Sequence, residues 1–239
     1  MRTARVERVE DRGAGLREVR FTSDDELPTY SAGQWLSFKV AEGGEDGKGI
    51  WRVYSFCSSP HEQDRTFHVL ASLHSSGPGA ARFGDLAPGD ALLYHGPYGD
   101  FRLQSAVPRR AFFVADWVGI GPVRAMLSSL FHPGPPPFKV TLIQEAAVPH
   151  ALVFRGEFEA REKAVEGFEY IPTVPGADSD WHGENRDLNE LIPSLAPGDG
   201  LEGQHWYLCG SGRYVDVLGP WLRRHGIPDV ALRVERFFD

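Results

Sequence analysis

The chain has 239 residues, 41% hydrophobic and 24% charged, with 25 Lys and Arg against 33 Asp and Glu for a formal net charge of -8. Such fractions exclude a collagen, a coiled coil and a disordered chain, and at about 100–200 residues per domain the length allows one large domain or two modest ones. The acidic balance, with no Lys/Arg run, argues against nucleic acid or an anionic membrane surface as a partner.

Residues 1–107 read as short alternating strands separated by turns. Gln34-Trp35-Leu36-Ser37-Phe38-Lys39-Val40 alternates as a strand with one buried face does. Strands are expected at 4–9, 16–23, 34–40, 50–56, 66–73 and 90–95, with one helix near 78–86. Ala32-Gly33, Gly43-Gly44, Pro88-Gly89-Asp90 and Gly96-Pro97 supply turn chemistry between them. The arrangement predicts an antiparallel β-barrel. Met1-Arg2-Thr3-Ala4 leads straight into this alternation rather than into a signal peptide. No apolar run approaches the roughly 20 residues of a membrane span. A cytoplasmic location is expected.

From residue 108 the pattern changes. Ala111-Phe112-Phe113-Val114-Ala115 is continuous in apolar character, as a strand buried on both faces must be. Strands at 138–144, 168–174, 205–209 and 230–235 alternate with helices at 122–131, 151–164, 186–193 and from 212. This order predicts an α/β domain with a parallel sheet covered by helices on both faces. In the last helix Tyr214, Val217, Leu218, Trp221 and Leu222 form one apolar stripe, and Gly219-Pro220 is expected to kink or break it. The expected domains are therefore 1–107 and 108–239.

Four segments carry possible chemistry. Arg52-Val53-Tyr54-Ser55 ends a strand; alternation places Arg52 and Tyr54 on one face, a guanidinium suited to phosphate beside a ring suited to a planar ligand. An exposed arginine beside a core tyrosine is the plainer reading. Gly77-Pro78-Gly79-Ala80-Ala81 enters a helix and offers backbone N–H groups to an anion, or is simply a turn. Val118-Gly119-Ile120-Gly121-Pro122 follows a buried strand at the edge where parallel sheets bind ligands, with Pro122 suited to a first helical turn. His205-Trp206-Tyr207-Leu208-Cys209-Gly210 brings a thiol to the same edge, where most lone cysteines are inert packing. The two cysteines, Cys57 and Cys209, exclude a disulfide framework and a cysteine-held zinc or iron–sulfur centre, and the nine histidines lack metal-ligand spacing. No metal site is expected.

Taken in order, these segments resemble the ferredoxin–NADP reductase superfamily, flavin oxidoreductases that pair a flavin barrel with a nicotinamide domain. The family's Arg-x-Tyr-Ser matches residues 52–55, its Gly-Pro-x-Gly-x-Phe matches Gly96 to Phe101, and its Gly-Ile-x-Pro-x-Arg-x-x-Leu matches Gly119 to Leu127. Cys209-Gly210-Ser211 and Glu235-Arg236-Phe237 resemble its Cys-Gly-Pro and carboxy-terminal Glu-x-aromatic stretches.

The resemblance implies that Arg52 binds the flavin phosphate, Tyr54 packs on the isoalloxazine and Ser55 bonds near flavin N5. It implies further cofactor contacts from Val53, from His68, Val69 and Leu70 on the next strand, and from the backbone of Gly77, Gly79, Ala80 and Ala81. Gly119, Pro122, Cys209 and Gly210 join the cofactor set. Cys209 and Glu235 are placed beside the reacting nicotinamide, and Phe237 or Phe238 covers the flavin ring. The cofactor implied is FAD rather than FMN, with NADH or NADPH as substrate. This chain has no iron–sulfur module, so the implied acceptor is a separate protein or small molecule.

The departures from the family pattern act against the nicotinamide half. Ala115-Asp116-Trp117-Val118-Gly119 replaces Gly-Thr-Gly-Thr-Gly, so Trp117 fills a close-approach glycine position and Asp116 adds a negative charge where a pyrophosphate would lie. Val174-Pro175-Gly176 lacks the Ser-Arg of NADP-preferring members, which favours NADH. A second reading follows: a flavin-binding electron carrier or accessory subunit with a degenerate nicotinamide site. A flavin-free scaffold is the third.

Overall fold

A computed structural model describes residues 1–43, 49–61, 65–177, 180–195 and 201–237. The chain divides into two units, Met1–Leu103 with Arg124–His132, and Gln104–Val123 with Pro133–Asp239.

The first unit contains β1 (Arg2–Gly13), β2 (Leu16–Ser23), β3 (Trp35–Ala41), β4 (Ile50–Ser55), β5 (Thr66–Ser72) and β6 (Ala91–Tyr98), with α1 (Pro78–Asp85) before the last strand. The strands pair antiparallel in the order β4-β3-β6-β1-β2-β5. The two edges meet where Phe56 bridges Val69 and the Cys57 N–H donates to the His68 carbonyl at 2.8 Å. The sheet thus closes into the expected barrel. Alternation sends Val19, Phe21, Leu36, Phe38, Val40, Phe67, Val69 and Ala71 inward. Phe21 stacks on Phe38 and Phe67 at 5.2 and 5.5 Å. Phe83 of α1 meets Phe38 edge-on at 5.8 Å, so the helix is anchored by a ring set into the barrel core.

On the barrel's outer side one buried carboxylate gathers three partners. Glu18, 4% exposed, accepts from Arg12 Nε at 2.7 Å and lies 2.7 Å from His68 Nδ1. Arg124, in the helix described below, lies 3.7 Å from Glu18 and donates to the Cys57 carbonyl at 3.1 Å. Burial pushes the Glu18 carboxyl up, but the His68 bond and the Arg12 and Arg124 charges outweigh it and bring it down to about 2.

The second unit begins with β7 (Arg110–Asp116), a 3₁₀ turn (Trp117–Gly119) and the start of α2 (Ile120–Leu130), whose remainder from Arg124 belongs to the first unit. It continues through β8 (Lys139–Glu145), α3 (Arg155–Ala164), β9 (Phe168–Thr173), α4 (Leu188–Leu195), β10 (Gln204–Ser211), α5 (Gly212–Arg224) and β11 (Leu232–Phe237). The five strands are parallel in the order β11-β10-β7-β8-β9. Phe112, Val114, Ile143, Trp206 and Leu208 share one face with residues of α4 and α5. On the other face Phe158 of α3 packs on Tyr170 at 5.4 Å. Helices therefore cover both faces, as the continuous apolar strands require.

α5 is not broken at Gly219-Pro220 but runs through Pro220 to Arg224. Pro220 lies on its exposed side, and Asp216, whose carbonyl the missing N–H leaves open, is exposed as well. Its buried stripe is Tyr214, Val215, Leu218 and Leu222, whereas Val217 is half exposed. The helix is rotated so that Val215 takes the place expected of Val217. The helix expected from residue 151 starts at Arg155, after Phe154 in a left-handed conformation with φ 64°. Among the described residues no helix is long and apolar enough to cross a membrane.

The Glu18 cluster yields a pH prediction. The carboxyl is at about 2 when folded against 4.5 unperturbed, so its stabilisation is complete above pH 4.5 and fades as pH falls toward 2. Glu18→Gln is expected to cost about 3 kcal/mol at pH 7, because removing one partner of a buried ion pair strands the others. Urea unfolding at pH 7 and pH 3 checks it: the gap between wild type and variant should narrow at the lower pH.

Candidate functional site

In the barrel, the β3–β4 register sets Arg52 opposite Phe38 and Tyr54 opposite Leu36. Directly paired residues share a sheet face, so Arg52 and Tyr54 lie on the same side, as alternation predicts. Both reach the start of α1. A Cβ placed on Gly79 would fall 2.8 Å from the Tyr54 hydroxyl and 3.2 Å from Arg52 Cγ. Glycine is what lets the helix settle on these two side chains. Tyr54 stacks on Phe83 at 3.9 Å, and burial pushes its phenol well above the ordinary range despite the Arg52 charge.

The first turn of α1 suits an anion. Gly77 caps it without a side-chain hydrogen bond, Pro78 occupies its start, and no acidic residue lies in that turn. The Ala81 N–H is taken by the Gly77 carbonyl at 3.1 Å. Gly79 and Ala80 supply the first-turn donors that a helix leaves open. A guanidinium beside an uncapped helix start is a phosphate-binding arrangement. The residues present fit the phosphate part of FAD.

The other barrel residues expected at the cofactor divide. Val53 is 54% exposed and Ser55 is buried at the end of β4. His68 turns its ring to Glu18, its N–H donates to Ser58 Oγ at 2.9 Å, and Leu70 is buried. Val69 points into the barrel core, and its backbone lies between Val19 of β2 and Phe56.

In the second unit the chain runs from β7 through β8 to β9 on one side, then returns to β10 and β11 on the other. The switch point is the β7–β10 boundary, where open α/β sheets place ligands at the carboxyl ends of the strands. There Gly119 is pressed on β10: a Cβ would fall 2.1 Å from the Cys209 carbonyl oxygen. Pro122 sits in the first turn of α2. Trp117 adopts φ 44°, a left-handed conformation that glycine takes without strain.

The Asp116 carboxylate, expected near where a pyrophosphate would lie, is turned into the fold. It is 7% exposed and accepts from the Ser211 N–H at 2.9 Å and from the Ser211 hydroxyl. Gly210, at φ 148°, makes room, since a Cβ there would fall 1.8 Å from Asp116 Oδ1. Burial raises the Asp116 carboxyl, against the lowering effect of the Ser211 bonds and the Arg213 charge.

Cys209 is fully buried, and burial, with Glu235 and Asp116 nearby, pushes its thiol well above the ordinary range. Parallel pairing sets Glu235 beside Cys209 and Phe237 beside Ser211. The structure thus brings Cys209, Gly210 and Glu235 together with the start of α2. Phe238 lies outside the described residues. Among the described residues no group of three His, Cys, Asp or Glu side chains could hold a metal.

Sequence reasoning missed Glu145 and Arg213. Glu145 ends β8, is 5% exposed, accepts from the Leu188 N–H at 2.9 Å and pairs with Arg213. The available signal was a carboxylate closing a buried parallel strand, as Asp116 closes β7.

Residues 113–217 match the family described as oxidoreductase NAD-binding domain. The chain is 28% identical over 229 residues to ferredoxin–NADP reductase B of Sorangium cellulosum, covering 93% of this chain and 91% of that protein. It is 25% identical to the phenol hydroxylase P5 protein of Acinetobacter pittii, covering 98% of this chain but only 65% of that relative. Among solved structures, a ferredoxin NADP+ reductase from Neisseria gonorrhoeae with bound FAD and NADP superposes with a TM-score of 0.83. That pair is 20% identical and covers 99% of this chain and 98% of the other. The Amycolatopsis cytochrome P450 reductase GcoB gives a TM-score of 0.84 at 22% identity, over 99% of this chain and 69% of that one.

The Gly119 contact is directly testable. Gly119→Ala is expected to push α2 off the end of β10 and to destabilise the protein by about 1–3 kcal/mol, as overpacking does. Thermal unfolding monitored by circular dichroism measures it.

Proposed function

We propose that the chain is a member of the ferredoxin–NADP reductase superfamily and that it passes reducing equivalents from a nicotinamide nucleotide through FAD to a separate electron acceptor. Residues 1–107 are assigned to FAD and 108–239 to the nucleotide. The observation that carries the reading is the Arg52 side chain, whose Cβ and Cγ lie with the Tyr54 hydroxyl against Gly79 at the uncapped start of α1. FAD supplies the redox chemistry when bound, accepting a hydride and releasing electrons singly or in pairs.

The chain's own residues bind and orient. Arg52 and the Gly79 and Ala80 N–H groups hold the phosphates, Tyr54 takes the isoalloxazine face, and Ser55 supplies a hydroxyl near N5. In the second unit Gly119 and Pro122 open α2 to the nucleotide, with Cys209, Gly210 and Glu235 beside the nicotinamide. NADH is favoured over NADPH. Val174 at the end of β9 is buried, and Arg186 in the following segment is held by both carboxylate oxygens of Glu184. The acceptor is a separate protein or small molecule. The reading places the protein in the cytoplasm, where NADH is found and where the thiols of Cys57 and Cys209 stay reduced.

A second reading, a flavin-binding carrier with a degenerate nucleotide site, is favoured by Trp117 in its left-handed conformation. Stopped-flow mixing of the FAD-loaded protein with NADH and NADPH separates the two. Rapid bleaching of the flavin, faster with NADH, is expected; bleaching by dithionite alone would favour the carrier. Replacing Trp117 with Gly should raise the rate with NADH. Arg52→Ala should weaken FAD binding about 10- to 100-fold, the size of a lost hydrogen bond to a charged group. Flavin fluorescence titration reads that loss, and unchanged affinity would remove Arg52 from the site.

A further inference from the structure

The edge of the parallel sheet is laced by two internal links. Asp116 bonds Ser211 and so ties β7 to β10 across the switch point. Arg213, from the first turn of α5, reaches Glu145 at the end of β8. Because β7 lies between β10 and β8, this second link passes the end of the central strand. The Arg213 charge acts on Asp116 and Asp187 as well.

The two carboxylates also fill helix starts. Glu145 accepts from Leu188 at the beginning of α4, and Asp116 from Ser211 at the beginning of α5. Each stands where a helix would otherwise receive an external anion. The start of α2 has no acidic residue in its first turn. A diphosphate arriving there meets two buried carboxylates, and like charges in a poorly solvated edge repel strongly. Arg213 is the cation of this cluster. Its bond to Glu145 uses Nη2, half of its side chain is exposed, and a guanidinium has five donors. Glu145 is fixed by the Leu188 N–H and 7% exposed at its side chain, so of the pair Arg213 is the member with freedom to move.

We infer that Arg213 is a switching phosphate ligand: it pairs with Glu145 in the free protein and transfers to the nucleotide's pyrophosphate on binding, with Glu145 as its internal competitor. The inference rests on the nucleotide-binding reading of the second unit. It also explains how a chain with Asp116 and Trp117 in its nucleotide loop would recover affinity for an anion.

The test is calorimetric titration of the FAD-loaded full chain with ADP-ribose, which carries the pyrophosphate without the reacting ring, and with its 2′-phosphorylated form. Arg213→Ala should weaken both ligands by about tenfold or more, as loss of a charge-assisted hydrogen bond does. Arg213→Lys should restore part of the loss. Glu145→Gln, which keeps an acceptor for the Leu188 N–H but drops the charge, should tighten binding several-fold. The opposite signs at the two positions distinguish exchange from a structural role, which would weaken both. Unchanged or tighter binding in Arg213→Ala, weaker binding in Glu145→Gln, or a loss confined to the 2′-phosphorylated ligand would overturn the inference and leave the nucleotide reading standing. A wild type that binds neither ligand and is reduced by neither NADH nor NADPH would take down that reading, and the inference with it.

Discussion

A carboxylate taken out of water must be met by positive charge or donated hydrogen bonds close at hand, and in this chain three such groups decide how elements distant in sequence are joined. Glu18 draws Arg12, His68 and Arg124 together, tying three parts of the barrel unit to the helix that follows β7. Asp116 fastens β7 to β10 through Ser211. Glu145 fastens β8 to the starts of α4 and α5 through Leu188 and Arg213. The barrel carboxylate, with several cations around it, is held below its ordinary value. The two at the sheet edge are raised, because burial outweighs the partners they have.

The same contrast separates the two halves of the chemistry. On the barrel, Arg52 donates to the Trp51 carbonyl, the start of α1 has no side-chain cap, and Gly79 lets that start settle on the Arg52 and Tyr54 side chains. At the sheet edge, the donors of α4 and α5 are already engaged by the chain's own acids. The first surface is prepared for an anionic cofactor. The second must exchange an internal partner for an external one, which suits a nucleotide that arrives and leaves rather than one that stays.

Much of this was legible from local pattern. Alternation from Gln34 to Val40 and the apolar run from Ala111 to Ala115 gave the two kinds of strand, because burial on one face or two writes directly into the order of residues. The shared face of Arg52 and Tyr54 follows from the same two-residue period. What was not legible depends on partners far away in sequence. Asp116 reads only as an added negative charge until Ser211, 95 residues later, is placed beside it. Val217 reads as core until the packing of α5 turns Val215 inward instead. Pro220 reads as a break because local propensity does not record that Asp216, whose carbonyl it leaves open, is exposed. Arg213 and Glu145 carry no motif, and their relation exists only once β7 lies between the strands that bear them.

The barrel's closure has a consequence of its own. Among the described residues β4 is paired along its length with β3, and on its other side the cylinder is zipped by the Phe56–Val69 bridge and the Cys57–His68 bond. A cylinder with one thin seam breathes there first, since the free energy of local opening scales with what must be unmade. The strand beside that seam is the one bearing Arg52, Tyr54 and Ser55. A guest that clasps this strand to α1 would therefore also act as a rivet, and shedding it would loosen the wall that had received it.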